Sequence, residues 1–181
     1  MTSSKNTINL FLENEQIKLR AVEPDDLEKL YIWENNTALW LVGNTRQPIS
    51  KYALKQYIIN SDKDIYESRQ VRFMITDKIN GKTVGTVDLF DFDVYNNRVA
   101  LGLFVDNEFQ GQGYATQALH LTEKYVFDFL KINQLYCHIA ETNEASRSMF
   151  EKEGYEANGI LKNWIRTVEG FENIIVFQRF R

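Results

Sequence analysis

The stretch that decides the fold is VDNEFQGQGYATQAL, residues 105–119. An apolar strand ends at Val105, a Gln-Gly-Gln-Gly tetrapeptide follows, and a helical pattern starts at once. Glycines such as Gly111 and Gly113 are used where the backbone bends unusually or where another group approaches closely. The first turn of a helix presents unpaired N–H groups and the positive end of the helix dipole. The stretch therefore predicts either an anion-binding loop or simply a tight strand-to-helix turn.

Two well-known phosphate motifs do not fit this stretch. The pattern G-x-x-x-x-G-K-[ST] is absent from the sequence, and a dinucleotide-binding G-x-G-x-x-G would need glycine where Thr116 stands. The spacing therefore excludes these two classes of phosphate site for the loop.

Bulk composition excludes several classes of function. The chain has 181 residues, 44% of them hydrophobic and 25% charged, which is ordinary for one soluble domain. We expect a single domain over 1–181, with 1–16 as an N-terminal arm and lead-in. A net charge of −4 gives little support for a nucleic-acid partner. One cysteine and two histidines exclude a disulfide framework and argue against a metal site. We expect a cytoplasmic protein without a membrane partner, because no 18-residue apolar run or signal peptide is present.

The order of the elements predicts an α+β fold. Apolar and polar residues alternate at 17–22, as in a half-buried strand, and two helices follow, the second capped by Ser50. Asn80-Gly81 between strand-like runs predicts a hairpin within three antiparallel strands. A long helix over 113–130 and a strand–helix–strand–strand pattern complete the chain.

A second motif follows about thirty residues after the glycine loop. The segment NEASRSMFEKEGY, 143–155, comes directly after the strand LYCHIAET. With it, the chain resembles the GNAT superfamily of acetyl-CoA-dependent N-acetyltransferases over roughly residues 17 to 180. The family's loop Q/R-x-x-G-x-G/A is filled by Gln110, Gly113 and Ala115. Its later motif, N-x-x-S/A, then an aromatic or aliphatic residue and G-F/Y, is filled by Asn143, Ser146, Phe150, Gly154 and Tyr155.

The resemblance implies a fold and a co-substrate. The fold would be a mixed central sheet with an antiparallel meander and a splayed parallel strand pair, flanked by about four helices. Acetyl-CoA would place its pantetheine arm along Leu103, Phe104 and Val105 and its pyrophosphate on the glycine loop. The other implied contacts are Gln110, Gly111, Gln112, Gly113, Tyr114, Ala115, Thr116, Asn143, Ser146 and Phe150. Asn143 can equally serve as a helix N-cap. The family also suggests a possible homodimer.

The chemistry requires a neutral amine at the thioester carbon. A lysine or polyamine ammonium titrates near ~10.4 and a peptide α-amine near ~7.8, so the former needs more help from a base. Many family members protonate the leaving thiolate with a tyrosine where this chain has Phe150, which cannot donate a proton. The apolar residue resembles the ribosomal-protein N-terminal acetyltransferase branch, whereas spermidine N-acetyltransferases typically keep the tyrosine.

Several side chains are candidates for the missing acid and base. Asp88 and Glu141 are carboxylates near strand ends, although such groups are often only solvated edge charges. Tyr155 could substitute as acid. We expect His138 to face the surface rather than act as a base, and Cys137 to be a buried small hydrophobic residue.

Three functions remain open from the sequence. The first is acetyl transfer, by direct attack in a ternary complex, to a protein N-terminal or side-chain amine or to a small amine. The second is a polyamine N-acetyltransferase of the spermidine type. The third is a non-catalytic acyl-CoA-binding regulatory module.

Overall fold

One mixed sheet of seven strands organises the described part of the chain. The computed structural model describes residues 11–40 and 45–181. The strands are β1 Ile17–Ala21, β2 Val71–Asp77, β3 Thr83–Asp93, β4 Arg98–Val105, β5 Gln134–Ala140, β6 Glu156–Thr167 and β7 Gly170–Phe180. Their order is β1-β2-β3-β4-β5-β7-β6, and every neighbouring pair is antiparallel except β4 with β5. The predicted α+β class, with its meander and its parallel pair, is confirmed.

The α-helices of the described residues are α1 Leu27–Glu34, α2 Lys51–Ile59, α3 Ile65–Ser68, α4 Tyr114–Glu123 and α5 Glu144–Lys152. Four of them have eight residues or more, as expected. The predicted helix over 113–130 changes type, because a π-helical segment, Lys124–Phe129, follows α4. The short helix α3 was not predicted. It begins after Asp64, whose side chain accepts hydrogen bonds from the next turn.

Local chemistry explains most element boundaries. Ser50 Oγ accepts a hydrogen bond of 3.1 Å from Ala53 N, which is the predicted N-cap of α2. The hairpin predicted at Asn80-Gly81 joins β2 to β3, with Gly81 at φ +71°. These signals lie within a few residues of the element they start or stop, so the sequence alone reveals them.

Apolar side chains form two cores, one on each face of the sheet. On one face, here called the α4 face, β-strand residues pack with α4 and α5 into the larger core, which includes Leu89, Val99, Leu101, Cys137, Ile139, Phe150, Tyr155 and Phe177. On the other, the α1 face, a smaller core joins Met74 and the partly buried Phe104 to residues of α1 and α2, namely Leu30, Trp33, Leu54 and Ile58. The expectation that Cys137 is buried is confirmed, since Cys137 is only 4% exposed.

The predicted N-terminal arm is only partly covered by the structure. Residues 1–10 lie outside the described ranges. Residues 11–16 lie against the fold, because Leu12 packs on the larger core and its carbonyl accepts a 2.7 Å hydrogen bond from Leu19. Asn14 Oδ1 accepts bonds from the backbone N–H groups of Gln16 and Ile17, which fixes the entry to β1. Among the described residues, no helix is long and apolar enough to cross a membrane.

Candidate active site

The parallel strands β4 and β5 separate after three residue pairs. Arg98, Val99 and Ala100 pair with Gln134, Leu135 and Tyr136, and the register ends there. Beyond this point β3 still holds β4 as far as Val105, and β7 still holds β5 as far as Ala140. Each strand therefore follows its outer neighbour, and a wedge opens between them. A strand paired on one side presents the backbone groups of alternate residues on its other side, so the wedge is lined by hydrogen-bonding groups of 101–105.

A loop with two left-handed glycines lies at the end of β4. Gly111 has φ +71° and Gly113 has φ +80°, and Gly113 takes the N-cap position of α4. A Cβ atom at Gly111 would meet nothing within 4 Å, and one at Gly113 would meet only Gln117 Nε2 at 3.8 Å. Because Gly113 has no side chain to cap the helix, the first N–H groups of α4 face this open space. The arrangement suits an anion.

The polar side chains of the loop stabilise its conformation through hydrogen bonds within the loop. Gln110 Nε2 donates to the Val105 carbonyl at 3.1 Å and to Asn107 Oδ1 at 3.0 Å. Gln112 Nε2 donates to the Glu108 carbonyl at 3.0 Å. These amide groups hold the loop in shape, so the expected contacts of Gln110 and Gln112 with a phosphate would come from backbone rather than from side chains.

Tyr114 fastens the start of α4 to the sheet. Its ring is buried, and its hydroxyl donates a 2.7 Å hydrogen bond to Asp77 Oδ2 at the end of β2. This bond, together with backbone N–H bonds, lowers the pKa of Asp77, and the same carboxylate raises the pKa of Tyr114. The phenol is thus directed away from the loop. Of the predicted loop residues, Tyr114, Ala115 and Thr116 form the first turn of α4, and their backbone N–H groups face the loop.

The second motif forms the start and the inner side of α5. Asn143 Oδ1 accepts a 3.1 Å hydrogen bond from Ser146 N, so Asn143 fulfils the N-cap role that the sequence left open. Phe150 is 4% exposed, and its ring packs edge-on against Tyr155 with 4.9 Å between centroids. The α4 face of the wedge is therefore apolar at this position, as Phe150 predicts.

The three predicted catalytic candidates are not brought together. Asp88 lies on the α1 face in the middle of β3, so the prediction that it lies near a strand end is wrong. Glu141 lies just beyond the end of β5, and Tyr155 is buried on the α4 face. Glu141 Oε2 accepts a 2.9 Å bond from Asn173 on β7, and its carbonyl accepts from Arg147. Burial and the neighbouring Glu123 raise the pKa of Tyr155, which makes its phenol a poor acid. The placement of Tyr155 argues against an acid role.

Asp88 belongs to an ionic cluster that the sequence did not reveal. Its Oδ1 lies 2.5 Å from Arg72 Nε, and Arg72 Nη1 lies 2.6 Å from Glu34 Oε1 on α1. Burial alone would lower the pKa of Arg72, yet the two carboxylates raise it above its usual value. One guanidinium between two carboxylates leaves the cluster of Arg72, Glu34 and Asp88 with one net negative charge. Only the cross-strand register of Arg72 with Asp88 could have identified this cluster.

The α1 face beside the wedge also carries a histidine. In β5, Cys137 and Ile139 point into the larger core, so His138 points to the opposite face with Tyr136, at 5.7 Å between ring centroids. His138 is exposed, as expected. Partial burial lowers its pKa below the ordinary value, although Asp91 acts in the opposite direction.

Comparison with known proteins assigns this architecture to a family. A model described as "Acetyltransferase (GNAT) domain" matches residues 16–156. The chain is 26% identical over 148 residues to a spermidine N(1)-acetyltransferase of Escherichia coli strain K12, covering 80% of this chain and 75% of that protein. It is 28% identical over 169 residues to a putative ribosomal N-acetyltransferase, YdaF, of Bacillus subtilis strain 168, covering 91% and 90%.

Solved structures agree on the fold. A Vibrio cholerae spermidine N-acetyltransferase, solved in complex with CoA and spermine, has a TM-score of 0.82 at 22% identity, over 92% of this chain and 96% of that chain. A dodecameric structure of the Vibrio cholerae enzyme has a TM-score of 0.77, also at 22% identity, over 92% and 95%. With the family model matching most of the chain, the protein belongs to the GNAT acetyltransferase family and is an N-acetyltransferase.

Proposed function

We propose that this enzyme transfers an acetyl group from acetyl-CoA to the α-amine of a polypeptide, by direct attack of the amine in a ternary complex. The observation that carries the proposal is the wedge between β4 and β5, which opens directly beside the uncapped start of α4. One end of the wedge suits a phosphate, and its β4 edge suits an amide-bearing chain.

Acetyl-CoA fits these residues in two ways. Its pyrophosphate matches the open space at Gly111 and Gly113, where N–H groups and the helix dipole favour negative charge. Its pantetheine amides match the backbone groups of Leu103, Phe104 and Val105 on the β5 side of β4. A backbone N–H of this segment would also stabilise negative charge on the thioester oxygen.

Acidic groups around the wedge favour a cationic acceptor. Glu34 and Asp88 leave one negative charge after pairing with Arg72 on the α1 face. Glu141 and Glu172 lie on the opposite side of the wedge, near the end of β5, where Arg147 offsets one of their two negative charges. These charges raise the local concentration of an amine, while the reacting fraction is set by its pKa.

Exposed aromatic side chains favour a polypeptide over a small amine. On the β6–β7 hairpin, Trp164 is 61% exposed and Phe171 is 66% exposed. This hairpin extends past the end of β5, since Ala140 pairs with Ile174 and the ladder between β6 and β7 continues to Gly170. Exposed apolar side chains beside a site offer contact area to the residues that follow an N-terminal amine. The α-amine also titrates close to neutral pH, which lowers the demand on a base.

A polyamine is the second candidate acceptor. Two observations favour it: the Escherichia coli relative is named a spermidine N(1)-acetyltransferase, and a structural neighbour was solved with spermine. The carboxylates described above would serve a polyamine equally well. Phe150 in place of a tyrosine favours the polypeptide.

An amine panel tests these assignments. The protein is mixed with acetyl-CoA and, in separate reactions, peptides with a free N-terminus, the same peptides N-terminally blocked but carrying a lysine, and spermidine. Thiol release and product mass are followed. We expect free-N-terminus peptides to give the highest kcat/KM. A higher value for spermidine would move the assignment to the polyamine, and acetyl-CoA binding without turnover of any amine would overturn the proposal.

A further inference from the structure

His138 lies two residues beyond the last pair that joins β5 to β4. The final pair is Ala100 with Tyr136, so the residue of β4 level with His138 is Gly102. Gly102 has no side chain, and it pairs on its other side with Asp88 of β3. On the α1 face, Asp88 and His138 therefore lie on either side of a glycine, at the point where the wedge opens. Phe90 also reaches this glycine, since a Cβ atom at Gly102 would lie 3.6 Å from both Phe90 Cε1 and Asp88 Cβ.

The direction of the imidazole follows from strand alternation. Cys137 and Ile139 belong to the core on the α4 face, which leaves His138 on the α1 face and exposed. The smaller core that α1 and α2 form reaches Met74 of β2 and Phe104 of β4 on this face. An amine that approaches the wedge from the α1 face passes between this core and His138.

We propose that, contrary to the expectation from the sequence, His138 is the general base that accepts the proton of the attacking amine. This inference rests on the proposed function. The amine lone pair forms the C–N bond to the thioester carbon, and His138 takes the proton that this nitrogen gives up. The C–S bond breaks with its electron pair on sulfur, and the thiolate takes up a proton. When that proton comes from the imidazolium through solvent, His138 returns to its neutral form.

The surroundings of His138 keep it able to accept a proton near neutral pH. Partial burial lowers its pKa, and Asp91 on β3 is the charged neighbour that counteracts this. Three further neighbours are uncharged: Tyr136 on its own strand, Val176 opposite it on β7, and Gly159 next to Val176 on β6. A base with a pKa below ~6.5 suits an acceptor such as an α-amine better than an alkylammonium.

The chain supplies a matched control in its second histidine. His120 lies on α4, and its Nε2 is 2.6 Å from Glu153 Oε2, far from the α1 face. His120→Gln removes a titrating imidazole in the same way as His138→Gln does. It should leave turnover unchanged.

Asp91 offers a second, finer control. Asp91 has φ +49°, a conformation that asparagine adopts as readily as aspartate, so Asp91→Asn keeps the backbone while removing the charge. Because Asp91 raises the pKa of His138, its removal should lower that pKa. The bend in the pH profile of kcat/KM that corresponds to the pKa of His138 should then move to lower pH. A merely structural role of His138 would produce no such shift.

The experiment measures acetyl-CoA binding and the pH dependence of kcat/KM for wild type, His138→Gln, His120→Gln and Asp91→Asn, with the best acceptor of the amine panel. We expect His138→Gln to bind acetyl-CoA normally and to lose roughly 10²-fold or more in kcat/KM. At acidic pH, a plot of the logarithm of kcat/KM against pH should have a slope of about two for wild type, because both the amine and His138 must lose a proton. The slope should be about one for His138→Gln, because only the amine titrates in that variant.

The outcomes separate this inference from the proposed function. If wild type is active and His138→Gln has the same kcat/KM and the same pH slope, His138 is not the base. The proposed acetyl transfer is then unaffected. Loss of acetyl-CoA binding in His138→Gln also overturns it, because the residue would then support the fold. A wild type that binds acetyl-CoA but acetylates no amine overturns the proposed function itself.

Discussion

The hydroxyl of Tyr114 donates a 2.7 Å hydrogen bond to Asp77, which joins the first residue of α4 to the last residue of β2. Both residues are buried. The bond fixes the start of the helix that presents its N–H groups to the glycine loop. The conformation of the glycine loop and the start of α4 thus depends on a contact between residues 37 positions apart.

Removal of this contact should change the stability of the protein toward acid. The pKa of Asp77 is lowered in the folded state, chiefly by Tyr114, so its contribution to stability is present above ~3.9, the ordinary aspartate value, and is lost as the pH falls through the folded value. Tyr114→Phe should therefore be less stable than wild type at neutral pH, and the difference should shrink in strong acid. Denaturant unfolding at both pH values measures this. Tyr52→Phe, on an exposed tyrosine of α2, is the control, and a constant difference at all pH values would contradict the prediction.

Acetyl-CoA should stabilise the protein through the glycine loop. At a hundred times its dissociation constant, binding adds ~2.7 kcal/mol, which for this size of chain corresponds to roughly 5 to 11 °C in Tm. Gly113→Val should abolish the shift, because the side chain enters the open space where the phosphate is expected. The matched control is Gly81→Val, which places the same side chain at a similar positive φ in the β2–β3 hairpin, outside the open space at the loop. No Tm shift for wild type at millimolar acetyl-CoA would exclude the predicted binding mode.

Phe150→Tyr should not improve catalysis. Phe150 is 4% exposed and packs edge-on against Tyr155, so a new hydroxyl there enters an apolar core. An unpaired buried hydroxyl costs about 1–3 kcal/mol, which a lower Tm would report. We expect kcat to stay equal or fall, since coenzyme A leaves readily without an acid. Phe150→Leu should keep most of the activity, and a tenfold or greater gain in kcat for Phe150→Tyr would refute this account of the leaving group.

Asp88→Asn should affect amine binding and stability more than the chemical step. Asp88 shares Arg72 with Glu34, and the side chains of Asp88 and Arg72 are 29% and 20% exposed. Loss of the charged partner should reduce the unfolding free energy by about 1–3 kcal/mol. It should also raise KM for the amine, with a smaller change in kcat. Glu67→Gln, which breaks the exposed pair with Lys63, should leave stability nearly unchanged, because water screens that pair.

A catalytic base at Asp88 predicts the opposite pattern for the same variant. In that case kcat should fall by roughly 10²-fold or more with KM nearly unchanged. Steady-state kinetics of Asp88→Asn beside His138→Gln therefore decides between the two residues.

Local chemistry made the glycine loop and the helix starts visible in the sequence. Gly111 and Gly113 adopt positive φ, and Ser50 and Asn143 cap the helices that follow them. Each of these features depends on residues a few positions apart, and the sequence displays them side by side. The change from α-helix to π-helix at Lys124 left no comparable local signal.

The polar side chains of the site could not be assigned in the same way. Asp88 meets Arg72 and Glu34 only through the register of β2 with β3 and the packing of α1. Tyr155, a candidate acid by its position in the motif, is turned into the core beside Phe150 by the packing of α5 on the sheet.

The sequence by itself determined the family-level features of this protein: the strand order in the chain, the glycine loop before α4, and the replacement of a tyrosine by Phe150. These depend on backbone conformation and on motif spacing, which are local properties. The tertiary structure decided which polar groups lie on the α1 face beside the wedge. The face on which Asp88, His138 and Tyr155 lie follows from strand register and helix packing, and both are settled by burial of apolar side chains from distant parts of the chain.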